Sequence, residues 1–95
     1  MSRFDFDPIK HQIINTNFGI KVTALDRYGN LASDYNQTGS LTTNLGQIKP
    51  ASITFYNGIA IGTVTIETNR AAPDVRISLR AEVIESQSNN FAVLR

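Results

Sequence analysis

The chain contains no cysteine and no tryptophan. Without thiols it can form no disulfide, no thiolate zinc site and no cysteine nucleophile. Histidine occurs once, so a Ser-His-Asp triad would have to run through His11 with Ser33, Ser40, Ser52 or Ser78. No G-x-S-x-G elbow accompanies them, and the sequence supplies His11 with no placed acid–base partner. It reads as an outward residue on an early strand. Charge of one sign is also lacking: nine basic and eight acidic residues leave +1, with no run of either. Nucleic-acid binding and polybasic membrane contact need clustered basic residues, so both are disfavoured. No stretch approaches the ~18–20 apolar residues of a membrane span, and membrane insertion is not expected. No segment keeps apolar residues at three-and-four spacing behind a cap, so no helix is expected.

What is present is alternation. Ninety-five residues, 41% of them hydrophobic, suit one domain of about 5–15 kcal/mol stability. The clearest segment is FGIKVTALDRYGN, residues 18–30. Phe18, Ile20, Val22 and Ala24 alternate with other residues before the polar turn Asp26–Asn30. That is a half-buried strand entering a tight turn. Upstream, Phe4 and Phe6 alternate with Asp5 and Asp7, and Pro8 removes a ladder donor. A change of sheet is expected there, with Ile9 to Ile14 as the second half of the strand. Asn15–Asn17 reads as a turn, and Leu31–Tyr35 as a short strand or extended connection. Gln37–Asn44 reads as a weak strand and Leu45–Ile48 as a turn that re-enters the sheet.

Pro50 precedes a strand over Ile53–Tyr56. Asn57-Gly58 then marks a type I′ hairpin, which needs positive φ at both positions. Ala60, Gly62, Val64 and Ile66 share a face beyond it. Ala71–Asp74 reads as a loop. Val75, Ile77, Leu79 and Ala81 alternate next, Ser86–Asn90 reads as polar loop, and Phe91–Leu94 as the last strand. Strands at this spacing predict an all-β, immunoglobulin-like Greek-key β-sandwich of about seven to nine strands. The expected core is Phe6, Phe18, Ile20, Val22, Ala24, Phe55, Val64, Ile66, Val75, Ile77, Leu79, Phe91 and Val93.

In order and spacing the chain resembles the bacterial immunoglobulin-like domains of surface and secreted proteins, the invasin- and intimin-type repeats. Pro8-Ile9 with Gln12 precedes the strand that carries F-x-I-x-V-x-A-x-D-x-x-G-N at residues 18–30. Phe55, Asn57-Gly58, Ala60, Val64 and Ile66 resemble the family's hairpin, and Ser88-Asn89-x-Phe91-x-Val93 its closing strand. Gly62 departs from the pattern, standing where a larger core residue is common. The antibody-type disulfide and its tryptophan are absent. The resemblance implies a single domain, 1–95, cut from a larger multidomain protein and found outside the cell or on its surface. It implies a non-catalytic spacer or adhesion module, often in tandem. Partners would be neighbouring domains of the same chain, or a host or cell-surface protein or glycan. The N-terminal MSRFDFDP lacks the apolar core of a signal peptide, so any export signal would lie elsewhere.

No catalytic, cofactor-binding or metal-ligating residue is assigned, and no cofactor is expected. Asp26, Asn30 and Asp34 could offer oxygens to Ca²⁺, but a turn stabilised by the Asp26 side chain explains the same residues, and that reading is preferred. Tyr28, Tyr35 and Tyr56 could line a sugar-binding face, which would make the domain a carbohydrate-binding module appended to a secreted hydrolase. A tyrosine corner or loop packing explains them equally. Arg76 and Arg80 read as a solvated pair, with Glu67 as a candidate partner across strands. Ile59 and Ile61 point away from the core and could mark contact with a neighbouring domain or a second copy, but partial burial under a loop explains them as well. Ligand specificity, where present, is expected in the loops Asp26–Asn30, Asn44–Ser52 and Ala71–Asp74. A third possibility is an appendage or virion domain assembling through strand edges.

Overall fold

A computed structural model describes residues 1–95. It contains strands and no helix, and so no helix long and apolar enough to cross a membrane. The eleven strands are β1 (Arg3–Phe6), β2 (Gln12–Ile13), β3 (Phe18–Leu25), β4 (Thr38–Thr43), β5 (Gln47–Lys49), β6 (Ser52–Thr54), β7 (Ile59–Glu67), β8 (Ala72–Val75), β9 (Ile77–Ala81), β10 (Ile84–Gln87) and β11 (Phe91–Leu94). One four-stranded sheet has the order β1-β3-β7-β5, and another β10-β9-β4-β6. A three-stranded group has the order β2-β11-β8 and joins the second sheet through the chain, β8 leading into β9 and β10 into β11. The fold is therefore an all-β sandwich. The chain changes sheets at every step from β1 to β8: β1, β3, β5 and β7 build the first sheet, and β2, β4, β6 and β8–β11 build the other two groups.

The core lies between the sheets. Phe18, Ile20, Val22 and Ala24 of β3 face Ile77 and Leu79 of β9 and Leu41 of β4, and all are buried. Gly62 faces inward as well. A Cβ there would sit 3.3 Å from Ile53 Cδ1, so the isoleucine reaching over from β6 fills the space that Gly62 leaves. Phe4, Tyr35 and Phe55 form an aromatic cluster, with Phe4 and Phe55 stacked at 5.1 Å and Tyr35 edge-on to Phe55 at 5.2 Å.

The expected sheet change after Pro8 is present. β1 pairs antiparallel with β3, whereas β2 pairs parallel with β11. The Asn57-Gly58 turn has φ of 53° and 83° as the type I′ geometry demands. Several expectations need correction. Phe6 is only half-buried, and Phe4 is the β1 residue sealed in the core. Gln37–Asn44, read as weak, holds a strand, β4, at the centre of its sheet, paired to both β6 and β9. Its low apolar content reflects close packing: a Cβ on Gly39 would come 2.5 Å from Leu79 Cδ1. Of the two readings of Leu31–Tyr35 the connection holds: it makes the isolated Leu25–Leu31 bridge, its Ala32 N–H donates to the Ala24 carbonyl, and its Tyr35 carbonyl accepts from the Gly58 N–H.

Ala71–Asp74 is mostly strand, because β8 is an edge strand and Pro73 costs no ladder bond on the open side. Ser86–Asn90 is not all loop either, since β10 pairs antiparallel with β9. The hairpin between them turns at Glu82-Val83 with Glu82 at φ 56°. No glycine or asparagine announces it. The strand number exceeds seven to nine because the last two long strands are each broken in two, at Arg76 and at Ser88–Asn90.

Side chains replace ladder bonds at these breaks. Ser88 Oγ accepts from the Ile77 N–H at 3.0 Å and donates to the Asn89 carbonyl at 3.0 Å. The Asn89 amide accepts from the Ile9 N–H at 2.8 Å and donates to the Ile9 carbonyl at 2.9 Å. It thereby pairs with Ile9 as a strand neighbour would. Asn44 does the same across the β8–β9 break, accepting from Arg76 N–H and donating to the Asp74 carbonyl, both at 2.9 Å. Asn15 bonds both backbone groups of Thr68 at 3.1 and 3.2 Å.

Candidate functional site

The strand register places the two chain ends at opposite poles. Arg3 lies opposite Leu25, at the end of β3 that runs into the Asp26–Asn30 turn. The Asn57-Gly58 hairpin lies at the same pole, since the Ala24 N–H donates to the Gly58 carbonyl. At the far pole the Ile14 N–H donates to Leu94, and Arg95 Nη2 donates to the Asn69 carbonyl at 3.1 Å. The body measures 39 × 20 × 20 Å. The nine-residue β7 spans about 30 Å and can lie only along its long axis.

That geometry separates the loops singled out for specificity. Asp26–Asn30 occupies the first pole. Asn44 and Asp74 meet at the second, joined by the Asn44 clamp. The stretch Asn44–Ser52 is not one loop, since it contains β5. No single loop cluster forms.

At Asp26 the turn reading explains the geometry. One carboxylate oxygen accepts from the Tyr28 N–H at 2.8 Å and the Asn30 N–H at 3.0 Å, while the Asp26 N–H donates to the Asn30 carbonyl. His11 is exposed, and its Nδ1 accepts from the Ala92 N–H at 3.3 Å, extending the β2–β11 pairing by one bond.

The tyrosines do not share a face. Tyr35 belongs to the core cluster, and its buried hydroxyl has no hydrogen-bond partner. It is therefore no tyrosine corner, whose hydroxyl must bond backbone. Burial, and secondarily the nearby Glu82 carboxylate, push its pKa up. Tyr28 stands on the turn with the Arg27 guanidinium 4.9 Å from its ring centre. Tyr56 alone projects from a sheet.

Arg80 sits in the second sheet, in register with Ser40 and Glu85. Glu67 lies in the first sheet and pairs instead with Lys49, Nζ to Oε1 3.1 Å. Cross-strand Arg–Glu67 pairing is thus excluded by topology. Both partners of the Lys49–Glu67 pair are exposed, so it contributes about 0–1 kcal/mol.

The outer face of the first sheet carries a group of exposed apolar side chains. Cross-strand partners project to the same side. Leu25 pairs with Leu31, Thr23 with Ile59, Ile59 with Tyr56, and Lys21 with Ile61. The apolar residues of these rows form one patch. Tyr56 is 72% exposed, Ile61 74% and Leu31 45%, while Leu25 and Ile59 are half-buried. Arg3 and Asp5 on β1 flank it, in register with Leu25 and Thr23. The Ile59–Ile61 alternation was legible in sequence; Leu25, Leu31 and Tyr56 join it only through pairings that alternation does not specify.

No family model, no curated protein and no solved structure matches the chain.

Proposed function

We propose that this domain is a non-catalytic spacer or adhesion module of a bacterial surface or secreted protein, working outside the cell beside other modules. The observation that carries the reading is the placement of the first and last residues at opposite ends of a 39 Å body. Modules joined through such ends extend in line. A pull between them loads the parallel β2–β11 pair along the strands, so its bonds resist together rather than one at a time. The Ile14 N–H bond to Leu94 and the Asn89 clamp on Ile9 add to the same seam.

Force spectroscopy on a tandem polyprotein of this chain tests the proposal. Each unfolding event is expected to lengthen the tether by roughly 300 Å, the extended length of the chain less its folded length. Asn89→Ala is expected to lower the peak force. An array that extends with no force peak would remove the mechanical basis of the reading. The carbohydrate-binding alternative is supported by the exposed Tyr56 ring on a sheet face. It has only that one ring on the face, and the spacer reading is preferred.

A further inference from the structure

We infer that the outer face of the first sheet is a self-association surface, and that its partner is a second copy of this chain. The patch formed by Leu25, Leu31, Tyr56, Ile59 and Ile61 is contiguous by strand register and largely open to water. Its rim selects among partners. Arg3 and Lys21 are balanced by Asp5 and Asp7, the last bonded through its N–H to the Lys21 carbonyl. A rim that sums to zero gives no attraction to a nucleic acid, an anionic membrane or a strongly charged peptide. It does allow two identical faces to meet without net repulsion, and the whole chain carries only +1.

A neutral sugar fits less well. Its hydroxyls need hydrogen-bond partners when they leave water; the centre of the patch offers only the Thr23 and Tyr56 hydroxyls, and the donors and acceptors of Arg3, Lys21, Asp5 and Asp7 stand along one edge. Aliphatic surface covered by aliphatic surface needs no such partners. With one twofold axis across the strands through the Thr23–Ile59 row, Leu31 of one copy lies over Ile61 of the other, and Arg3 over Asp7. The same axis sets Asp5 over its own mate, which limits the affinity. The face also runs alongside the axis joining the chain ends, so a contact through it blocks neither end.

Size sets the expected strength. Strands spaced about 4.8 Å apart, with outward residues every ~6.7 Å, give a footprint of a few hundred Å². That is below the ~800 Å² per partner of a stable complex. The pair should therefore be weak and reversible, with Kd on the order of 10⁻⁴ M.

Sedimentation equilibrium of the purified chain, from about 10 μM to 1 mM, tests this across the expected Kd. A monomer–dimer equilibrium that survives high salt is expected. Ile61→Asp should raise Kd at least about tenfold. Its thermal midpoint should stay unchanged, because Ile61 is 74% exposed. Tyr56→Asp, at a second exposed position, should act alike. Concentration-dependent amide shifts should centre on Thr23, Ile59 and Ile61. A chain that stays monomeric throughout would overturn the inference. So would a dimer that both variants leave intact, or shifts on this face that a neutral oligosaccharide produces and concentration does not. None of these outcomes bears on the force response, so the two proposals stand or fall separately.

Discussion

Asn89 supplies both bonds that Ile9 would otherwise receive from a strand neighbour. Removing the amide leaves a partly buried N–H and C=O to find water. Asn89→Ala is expected to cost about 1–3 kcal/mol, read as a lower denaturant midpoint at unchanged slope. Tyr35 is the opposite case. Its ring packs well, while its hydroxyl is buried without a partner. Tyr35→Phe keeps the ring and removes that penalty, so it should be neutral or stabilising by up to ~1 kcal/mol. The same hydroxyl gives an alkaline dependence. Its pKa is raised in the folded state, by burial first and then by Glu82. The unfolded chain therefore releases the proton first. This contribution is complete below about pH 10 and falls as pH rises from there through the folded-state pKa. Urea titrations between neutral and alkaline pH should show a steeper loss in the native chain than in Tyr35→Phe.

At the scale of elements, facing was legible and pairing was not. In β3 and β7 the alternating residues named from sequence are the ones sealed inside: Val22 is 0% exposed and Val64 1%. Val22→Ala or Val64→Ala should each cost about 1–3 kcal/mol through lost burial and a residual cavity. Lys21→Ala, one residue away on the outer face, should change stability by less than about 0.5 kcal/mol. Equal losses at positions 21 and 22 would contradict the register. Elements without alternation escaped notice for distinct reasons. β4 spends an inward position on Gly39 to admit Leu79. β10 shows only Ile84 as an apolar residue, because its far side borders β1, where the Phe4 N–H meets Ser86 Oγ at 3.3 Å. β8 contains the proline that usually signals a loop. The aliphatic patch on the first sheet was half legible: period two exposes Ile59 and Ile61, but Leu31 and Tyr56 join them through tertiary pairing. The asparagine clamps carry no sequence signal beyond a residue type common in turns.

At the scale of the molecule, the two ends of the chain are mutually dependent. β2 has one strand partner, β11, and the two lie about eighty residues apart in sequence. Phe91 and Val93 of β11 are also buried, 3% and 0% exposed, and Phe91 meets Phe18 edge-on at 6.1 Å. Ordering this seam means closing the whole chain into one loop. Closure entropy grows slowly with loop length but must be met before the contact forms. Folding should accordingly fall in the millisecond-to-second range typical of non-local β topologies. It follows that removing Phe91–Arg95 strips more than a terminal strand. β2 loses its partner, β8 loses its antiparallel neighbour, and Val75 loses the cover of Phe91. A chain ending at Asn90 is expected not to fold cooperatively, whereas removal of Arg95 alone, which forfeits one exposed bond to Asn69, should leave it folded. Hydrogen exchange read at Ile14 distinguishes the cases. Its amide, bonded to Leu94, should be protected in the Arg95 deletion and unprotected in the longer one. Retained protection at Ile14 after loss of residues 91–95 would show that the first sheet holds β2 without its partner, contradicting the pairing described here.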